Sequence, residues 1–396
     1  MAGEEAVERL RAVAEPLRGA RVLHVNSTPF GGGVAELLHT HVPLLNDLGI
    51  RTTWSVIEGS DEFFAVTKAI HNALQGSEHR LTEEMEKVYW ERMRANAPRL
   101  PRDFDFVLIH DPQPAALLTL VEEEGGRAGC WIWRCHIDLS ATYRPVWDLF
   151  RPLVNRFDAA IFTAEEFVQP DVEVPEIALI PPSIDPLSPK NVELSSDAAL
   201  EIVVSLGIDH GRPMLTQVSR FDPWKDPLGV IDAYRLVRRE VPGVQLVMIG
   251  SIAHDDPEGM RYLELTHQHA GDDPDVHLLT NLTGVGDQDV NAVQRRADVV
   301  VQKSLREGFG LVVAEAMWKG KPVVGGDVGG IRLQIVDGET GFLVESATEC
   351  AEEVTRLISQ PDLRERMGAA GRERVRERFL STRELEDHLR LLARLS

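Results

Sequence analysis

Cysteine is scarce in this chain, with only Cys130, Cys135 and Cys350 among 396 residues. Three thiols build no disulfide framework, and Cys130-x4-Cys135 lacks the second ligand pair that a zinc site requires. They read as buried free thiols. Long apolar runs are missing as well, although 43% of the residues are hydrophobic. No segment approaches the roughly 18–20 uninterrupted apolar residues of a membrane span. Met1 to Arg11 is acidic and helical in pattern, unlike the basic start and apolar core of a secretory signal. A cytoplasmic protein with no membrane partner is therefore expected. Positive charge is the third deficit. Lys and Arg number 42 against 63 Asp and Glu, a net charge of −21, which argues against a nucleic-acid partner. An anionic small molecule stays open, because one or two local cations and backbone amides suffice to hold it. Mixed runs such as Arg372-Glu373-Arg374-Val375-Arg376-Glu377-Arg378 read as solvated helical faces.

The length exceeds one ordinary core and points to two α/β domains. Strand patterns at Arg21–Asn26, Thr52–Ile57, Phe104–His110, Ala128–His136 and Ala159–Thr163 alternate with helical ones such as Val34–Leu48. Ile180-Pro181-Pro182-Ser183-Ile184-Asp185-Pro186 then interrupts the pattern as a stiff hinge. It restarts with strands at Met214–Val218, Gln245–Ile249, Val276–Leu279, Asp298–Gln302 and Pro322–Gly325, and the tail beyond Asp362 is helical, with a break near Leu380-Ser381. The expected fold is α/β, with two doubly wound Rossmann-like domains. Their expected spans are 1–182 and 183–380.

Four constellations carry chemistry. Gly31-Gly32-Gly33 follows the first strand and opens a helix. Three glycines allow a close backbone approach to a ligand, or make a tight turn. Arg220 and Lys225 lie five apart after the first strand of the second domain; they suit a diphosphate, or a solvated ion-pair site. His136 ends an apolar strand beside the polar run Asp138-Leu139-Ser140, and is a site residue or a structural histidine. Glu307 and Glu315 bracket Gly308-Phe309-Gly310-Leu311, with Glu307 at a strand's carboxyl end and Glu315 about two turns on in a helix. No metal site stands out, since His267 and His269 face different sides of a helix.

The Glu307-x7-Glu315 spacing, preceded by Arg220-x4-Lys225, resembles the signature of retaining glycosyltransferases of the two-domain GT-B type, family 4. The resemblance runs from Arg21 to about Leu380. It implies two domains facing a cleft, with the final helix, 381–396, crossing back to the first domain. It also implies that Arg220 and Lys225 clamp a donor diphosphate, Glu307 lies by the transferred sugar and Glu315 accepts from a nucleotide ribose. Donor contacts would further involve Gly32, Gly33, Phe309, Gly310 and Leu311, with base contacts near Asn281 and Leu282. His136 would contact the donor sugar or the attacking face, as a hydrogen-bonding group rather than a general base. The first domain is more specific: His24 to Glu36, Glu62 to Lys68, Ile109 to Pro114 and Trp131 to Ser140 are similar to the trehalose glycosyltransferring synthases and the related retaining trehalose phosphorylases. That likeness implies glucose as acceptor, met by Asn26, Gly31, Gly32, Lys68, His136 and Asp138. Lys68 is alternatively a surface helical lysine. The expected activity is transfer of glucose from ADP- or UDP-glucose to glucose, giving α,α-trehalose, reversibly. The expected partners are nucleotide glucose, glucose and trehalose, with a homodimer left open. No cofactor is expected to be tightly bound, and magnesium would at most stimulate through the diphosphate. A phosphorylase using glucose 1-phosphate, a family 4 transferase with another acceptor, and a silent carbohydrate-binding protein remain alternatives.

Overall fold

The computed structural model describes residues 3–30, 32–252 and 258–396, which form two compact units. The first runs to Ser183 and takes back Ser381–Ser396; the second begins at Ile184 and ends at Leu380.

The first unit holds six parallel strands: β1 (Arg21–Asn26), β2 (Arg51–Val56), β3 (Phe106–His110), β4 (Cys130–Arg134), β5 (Ala159–Phe162) and β6 (Glu176–Leu179). Every residue of β3 and β5 is buried, as expected where helices cover both faces of a parallel sheet. The sheet order is β2-β1-β3-β4-β5-β6. The chain therefore steps from β1 outward to β2 and returns on the other side with β3. That reversal opens a crevice at the carboxyl ends of β1 and β3.

The tail helix Ser381–Leu395 does return to this unit. Its Leu385, Leu389, Leu391 and Leu392 pack with Leu10 and Ala14 of the helix Glu4–Ala14, and with Val22, Leu108 and Ile132 of the sheet. Polar bonds fix its first turn. Arg383 donates to Pro181 O at 2.7 Å, and Ser183 Oγ donates to Glu384 Oε2 at 2.6 Å. The chain thus leaves and re-enters the first unit at adjoining points.

The second unit repeats the design with β7 (Met214–Val218), β8 (Gln245–Gly250), β9 (Val276–Thr280), β10 (Val299–Gln302), β11 (Val323–Gly326) and β12 (Gly341–Val344). All neighbours are parallel, in the order β12-β11-β10-β7-β8-β9. Here the reversal lies between β7 and β10. Leu215, Leu246, Met248, Val299, Val301 and Val324 pack with Ile231, Tyr234 and Val354 from the helices.

The structure corrects the sequence reading in three places. β4 stops at Arg134, so His136 stands in the turn after the strand rather than at its end. The structure also adds β6 and β12, both edge strands of four residues. Cys130 is also partly exposed, while Cys135 and Cys350 are buried free thiols. No helix among the described residues is long and apolar enough to cross a membrane.

Candidate active site

In the second unit, the loop after β7 carries Arg220 and Lys225 and is held rigid from several sides. Asp222 is buried, and its Oδ1 accepts from Trp224 N at 2.9 Å and Lys225 N at 3.2 Å. Its Oδ2 lies 3.5 Å from the Arg220 guanidinium. Gln217 donates to Lys225 O at 2.8 Å, and Leu305 N donates to Trp224 O at 2.7 Å. Asp226 ends the loop in the left-handed region, at φ 47°, and caps the helix Pro227–Glu240 through Gly229 N. The buried Lys303 pairs with the same Asp226, tying the β7 loop to the β10 loop.

The β10 loop brings the second half of the signature to the same place. Lys225 Nζ donates to Glu307 Oε2 at 2.6 Å, and Ser304 Oγ donates to that oxygen at 3.1 Å. Two residues 82 positions apart therefore meet at the switch point, because β7 and β10 are neighbours. Close backbone approach makes this possible. Gly330 N donates to Glu307 O at 2.9 Å, and a Cβ on Gly330 would lie 2.3 Å from Phe309 Cα. Gly310, at φ +81°, turns the chain into the helix Leu311–Trp318 in a conformation that other L residues disfavour. Phe309 turns its ring into the core against Phe379, so only its backbone serves the loop. Glu315 lies on that helix, 2% exposed, and its Oε2 has no hydrogen-bond partner among the described residues. A buried carboxylate oxygen without a donor costs roughly 1–3 kcal/mol or more, which a ligand hydroxyl would relieve. Asn281 uses its side chain to hold Ile252, at 2.9 and 3.1 Å, while Leu282 is exposed.

In the first unit, the β1–β3 switch point carries a chain of histidines. His24 Nδ1 lies 2.9 Å from His110 Nε2, and His110 Nδ1 lies 2.9 Å from His136 Nε2. The rings stack in sequence, with centroids 5.2 Å apart at both steps. Burial lowers all three pKa values and holds the rings neutral; at His110 and His136 the nearby Arg134 charge adds to the effect. Asp111, at φ 64°, accepts from His136 N at 2.7 Å and so fixes the turn after β4. Burial raises its pKa to about 7, against that hydrogen bond.

The other first-unit residues divide by role. Asn26 is engaged at both ends of its amide, by Trp54 Nε1 and by Thr28 O, each at 2.7 Å. Asp138 Oδ1 caps its own turn through Ser140 N and Oγ. Lys68 is buried in the helix Asp61–Leu74 rather than on the surface. Gly32 precedes the helix Gly33–Asp47 in extended conformation, and a Cβ there would meet no protein atom within 4 Å. No protein neighbour demands glycine at Gly32. Gly31 lies outside the described residues.

Sequence reasoning overlooked His24, His110, Asp111, Asp222, Lys303 and Ser304. The signal for the first two was present, since His24 lies within the apolar run of β1 and His110 ends that of β3, whereas His136 stands two residues beyond the end of β4. Among the described residues no group of three or more His, Cys, Asp or Glu side chains is arranged to hold a metal.

This geometry can be set beside known proteins. Residues 24–169 match the family model for the trehalose synthase N-terminal domain, and residues 200–374 match glycosyl transferases group 1. The chain is 52% identical to a trehalose synthase of Pyrococcus horikoshii over 392 residues, 98% of this chain and 94% of that one. It is 29% identical to a trehalose phosphorylase of Pleurotus pulmonarius, over 84% of this chain but 51% of that one. Among solved structures, an α,α-trehalose-phosphate synthase (UDP-forming) of Burkholderia xenovorans in complex with glucose-6-phosphate superposes with a TM-score of 0.76. That match is at 14% identity and covers 94% of this chain and all of that one; it bears on fold alone.

Proposed function

We infer the reaction from the premise that this chain belongs to the trehalose synthase family of group 1 glycosyltransferases. It is an enzyme of trehalose-related glycosyl transfer. On our reading the donor is a nucleoside diphosphate glucose, ADP- or UDP-glucose. The acceptor is glucose, the product is α,α-trehalose, and the reaction is reversible. The observation that carries the nucleotide donor is Glu315, a buried carboxylate with an oxygen left without a donor, on the helix that follows Glu307. A ribose diol supplies the hydroxyl donors it lacks. A phosphorylase acting on glucose 1-phosphate would use the same cations but leave this oxygen unsatisfied.

The chemistry follows from the charges. The bond between the anomeric carbon and the diphosphate oxygen breaks, and its electron pair stays on the diphosphate. Arg220 and Lys225, already held in place by Asp222 and Glu307, neutralise that charge without reorganising. The acceptor's anomeric hydroxyl attacks on the same face, and its proton passes to the leaving phosphate oxygen. The donor's α-configuration is retained. Glu307 accepts from donor-sugar hydroxyls, and His136 hydrogen-bonds to the sugar. Magnesium enters this reading only as a companion of the diphosphate.

The test is product analysis by proton NMR, with labelled glucose and a panel of nucleotide glucoses and glucose 1-phosphate. The expected product is a non-reducing α,α-linked disaccharide from a nucleotide donor. A reducing disaccharide would overturn the acceptor assignment. Turnover of glucose 1-phosphate alone would make the protein a phosphorylase, and free glucose as sole product a hydrolase. Glu315→Gln is expected to raise KM for the nucleotide donor roughly tenfold, as loss of charged hydrogen bonds does, with a smaller change in kcat. An unchanged KM would remove the ribose assignment.

A further inference from the structure

Three neutral imidazoles in a row can order their protons in only two ways. In one, His24 Nδ1–H donates to His110 Nε2, and His110 Nδ1–H donates to His136 Nε2. His136 then carries its own proton on Nδ1. In the other, every proton sits on Nε2 and both bonds reverse. The remaining ring nitrogen of His24 distinguishes the two. His24 is 1% exposed and its Nε2 has no hydrogen-bond partner among the described residues. In the first arrangement this atom is a bare acceptor; in the second it is a buried N–H with nothing to receive it. Orphaned buried N–H groups are the rarer and costlier case on the protein backbone, and the same desolvation argument applies to a ring N–H. Tautomers are assigned from such networks, since the protons themselves are not located.

We propose that His24 and His110 are positioning residues that hold His136 in its Nδ1–H tautomer, so that it meets a sugar oxygen solely as a hydrogen-bond donor. The proposal rests on the reading above that His136 faces the substrate sugar. It gives a structural reason for His136 not serving as the general base. Its Nε2 lone pair is occupied by His110, and its Nδ1 already carries a proton. Asp111 completes the arrangement by fixing the His136 backbone at 2.7 Å.

The first measurement needs no variant. Two-bond proton–nitrogen correlation spectra of the full chain, labelled with 15N-histidine, report which ring nitrogen is protonated. Signals are assigned by their loss in His136→Asn and His110→Gln. Protons on Nδ1 of His24, His110 and His136 are expected, opposite to the preference of a free histidine side chain. A proton on Nε2 of His136 overturns the proposal. The second measurement is steady-state kinetics. His110→Phe keeps a ring but removes both hydrogen bonds, and is expected to lower kcat about tenfold or more with donor KM within about twofold. His110→Gln, which both donates and accepts, is expected to recover part of that loss. Equal losses in the two variants, or no loss in either, would show a packing role only. Should His110→Phe fail to fold, the spectrum and the Gln variant decide. Full activity in His136→Ala would remove the sugar-facing role and the proposal's consequence with it, while leaving the trehalose reading intact.

Discussion

Lys225→Ala is expected to lower kcat/KM by about 2–4 kcal/mol, or roughly 30- to 1,000-fold, and Arg220→Ala by a similar amount. Both cations are preorganised by neighbouring carboxylates. Asp222 sits beside Arg220 and also caps the turn bearing Lys225. Lys225 further neutralises Glu307, whose side chain is only 8% exposed. Removing Lys225 therefore leaves a nearly buried carboxylate beside the position proposed for the diphosphate, so repulsion adds to the lost attraction. For that reason Lys225→Ala should be the more damaging of the two. Lys225→Arg keeps the charge but not the point-like ammonium geometry, and should fall between. Steady-state kinetics with the nucleotide donor check this. Rates within about threefold of the parent for both alanine variants would remove the pair from the diphosphate site.

The second large effect is acid sensitivity centred on the first unit, with His277 of the second unit lowered by burial in the same direction. Burial lowers His24, His110, His136 and His388 well below the usual histidine range, His24 to about 3. An unfolded chain takes up these protons near pH 6.5, whereas the folded chain does not. Their stability contribution is therefore complete above about pH 6.5 and lost as pH falls. Asp111 opposes them. Raised by burial to about 7, it keeps its proton in the folded chain where the unfolded chain has released it, so its contribution declines as pH rises from about 4 to 7. The histidines outnumber Asp111, so the net effect is a loss of stability as pH falls below about 6.5. Glu384 continues the trend further down. Burial disfavours its charge, but His41, His388 and Arg134 outweigh burial and hold its pKa below the usual range. In the second unit, burial lowers Lys319 to about 7. Its contribution is complete above about pH 10.4, lost as pH falls to about 7, and constant below that. Denaturant unfolding at pH 7, 6, 5 and 4 checks the prediction. A first-unit transition whose midpoint is flat from pH 7 to 5 would show that these histidines titrate normally.

Much of the fold is legible in local pattern. β1 and β7 span the residues that their apolar runs suggest, because central parallel strands are buried on both faces and their composition shows it. β6 escaped notice because it is short and half exposed, with Ile177 and Leu179 facing outward. At a sheet edge burial imposes no continuous apolar signature. β12 is also a four-residue edge strand, starting at a glycine.

The site divides along the same line. That these pairs form a donor site comes from the family resemblance, but spacing alone places Glu307 and Glu315 around a loop glycine and an apolar helix, and Arg220 and Lys225 at a strand end. Local chemistry is enough for that, because it depends on a strand, a turn and a helix in succession. The partners of these groups depend on sheet order instead. Lys225 meets Glu307 because β7 lies beside β10, and His136 joins His110 and His24 because β4, β3 and β1 are adjacent. Glu384 reaches Ser183 across 201 positions because the tail helix packs back onto the first sheet. The sequence by itself determined which elements form and which residue types stand at their ends, because propensity, burial pattern and turn chemistry act over a few residues. Only the tertiary structure decided which of those ends share a switch point, because strand order follows from how whole elements bury their faces together.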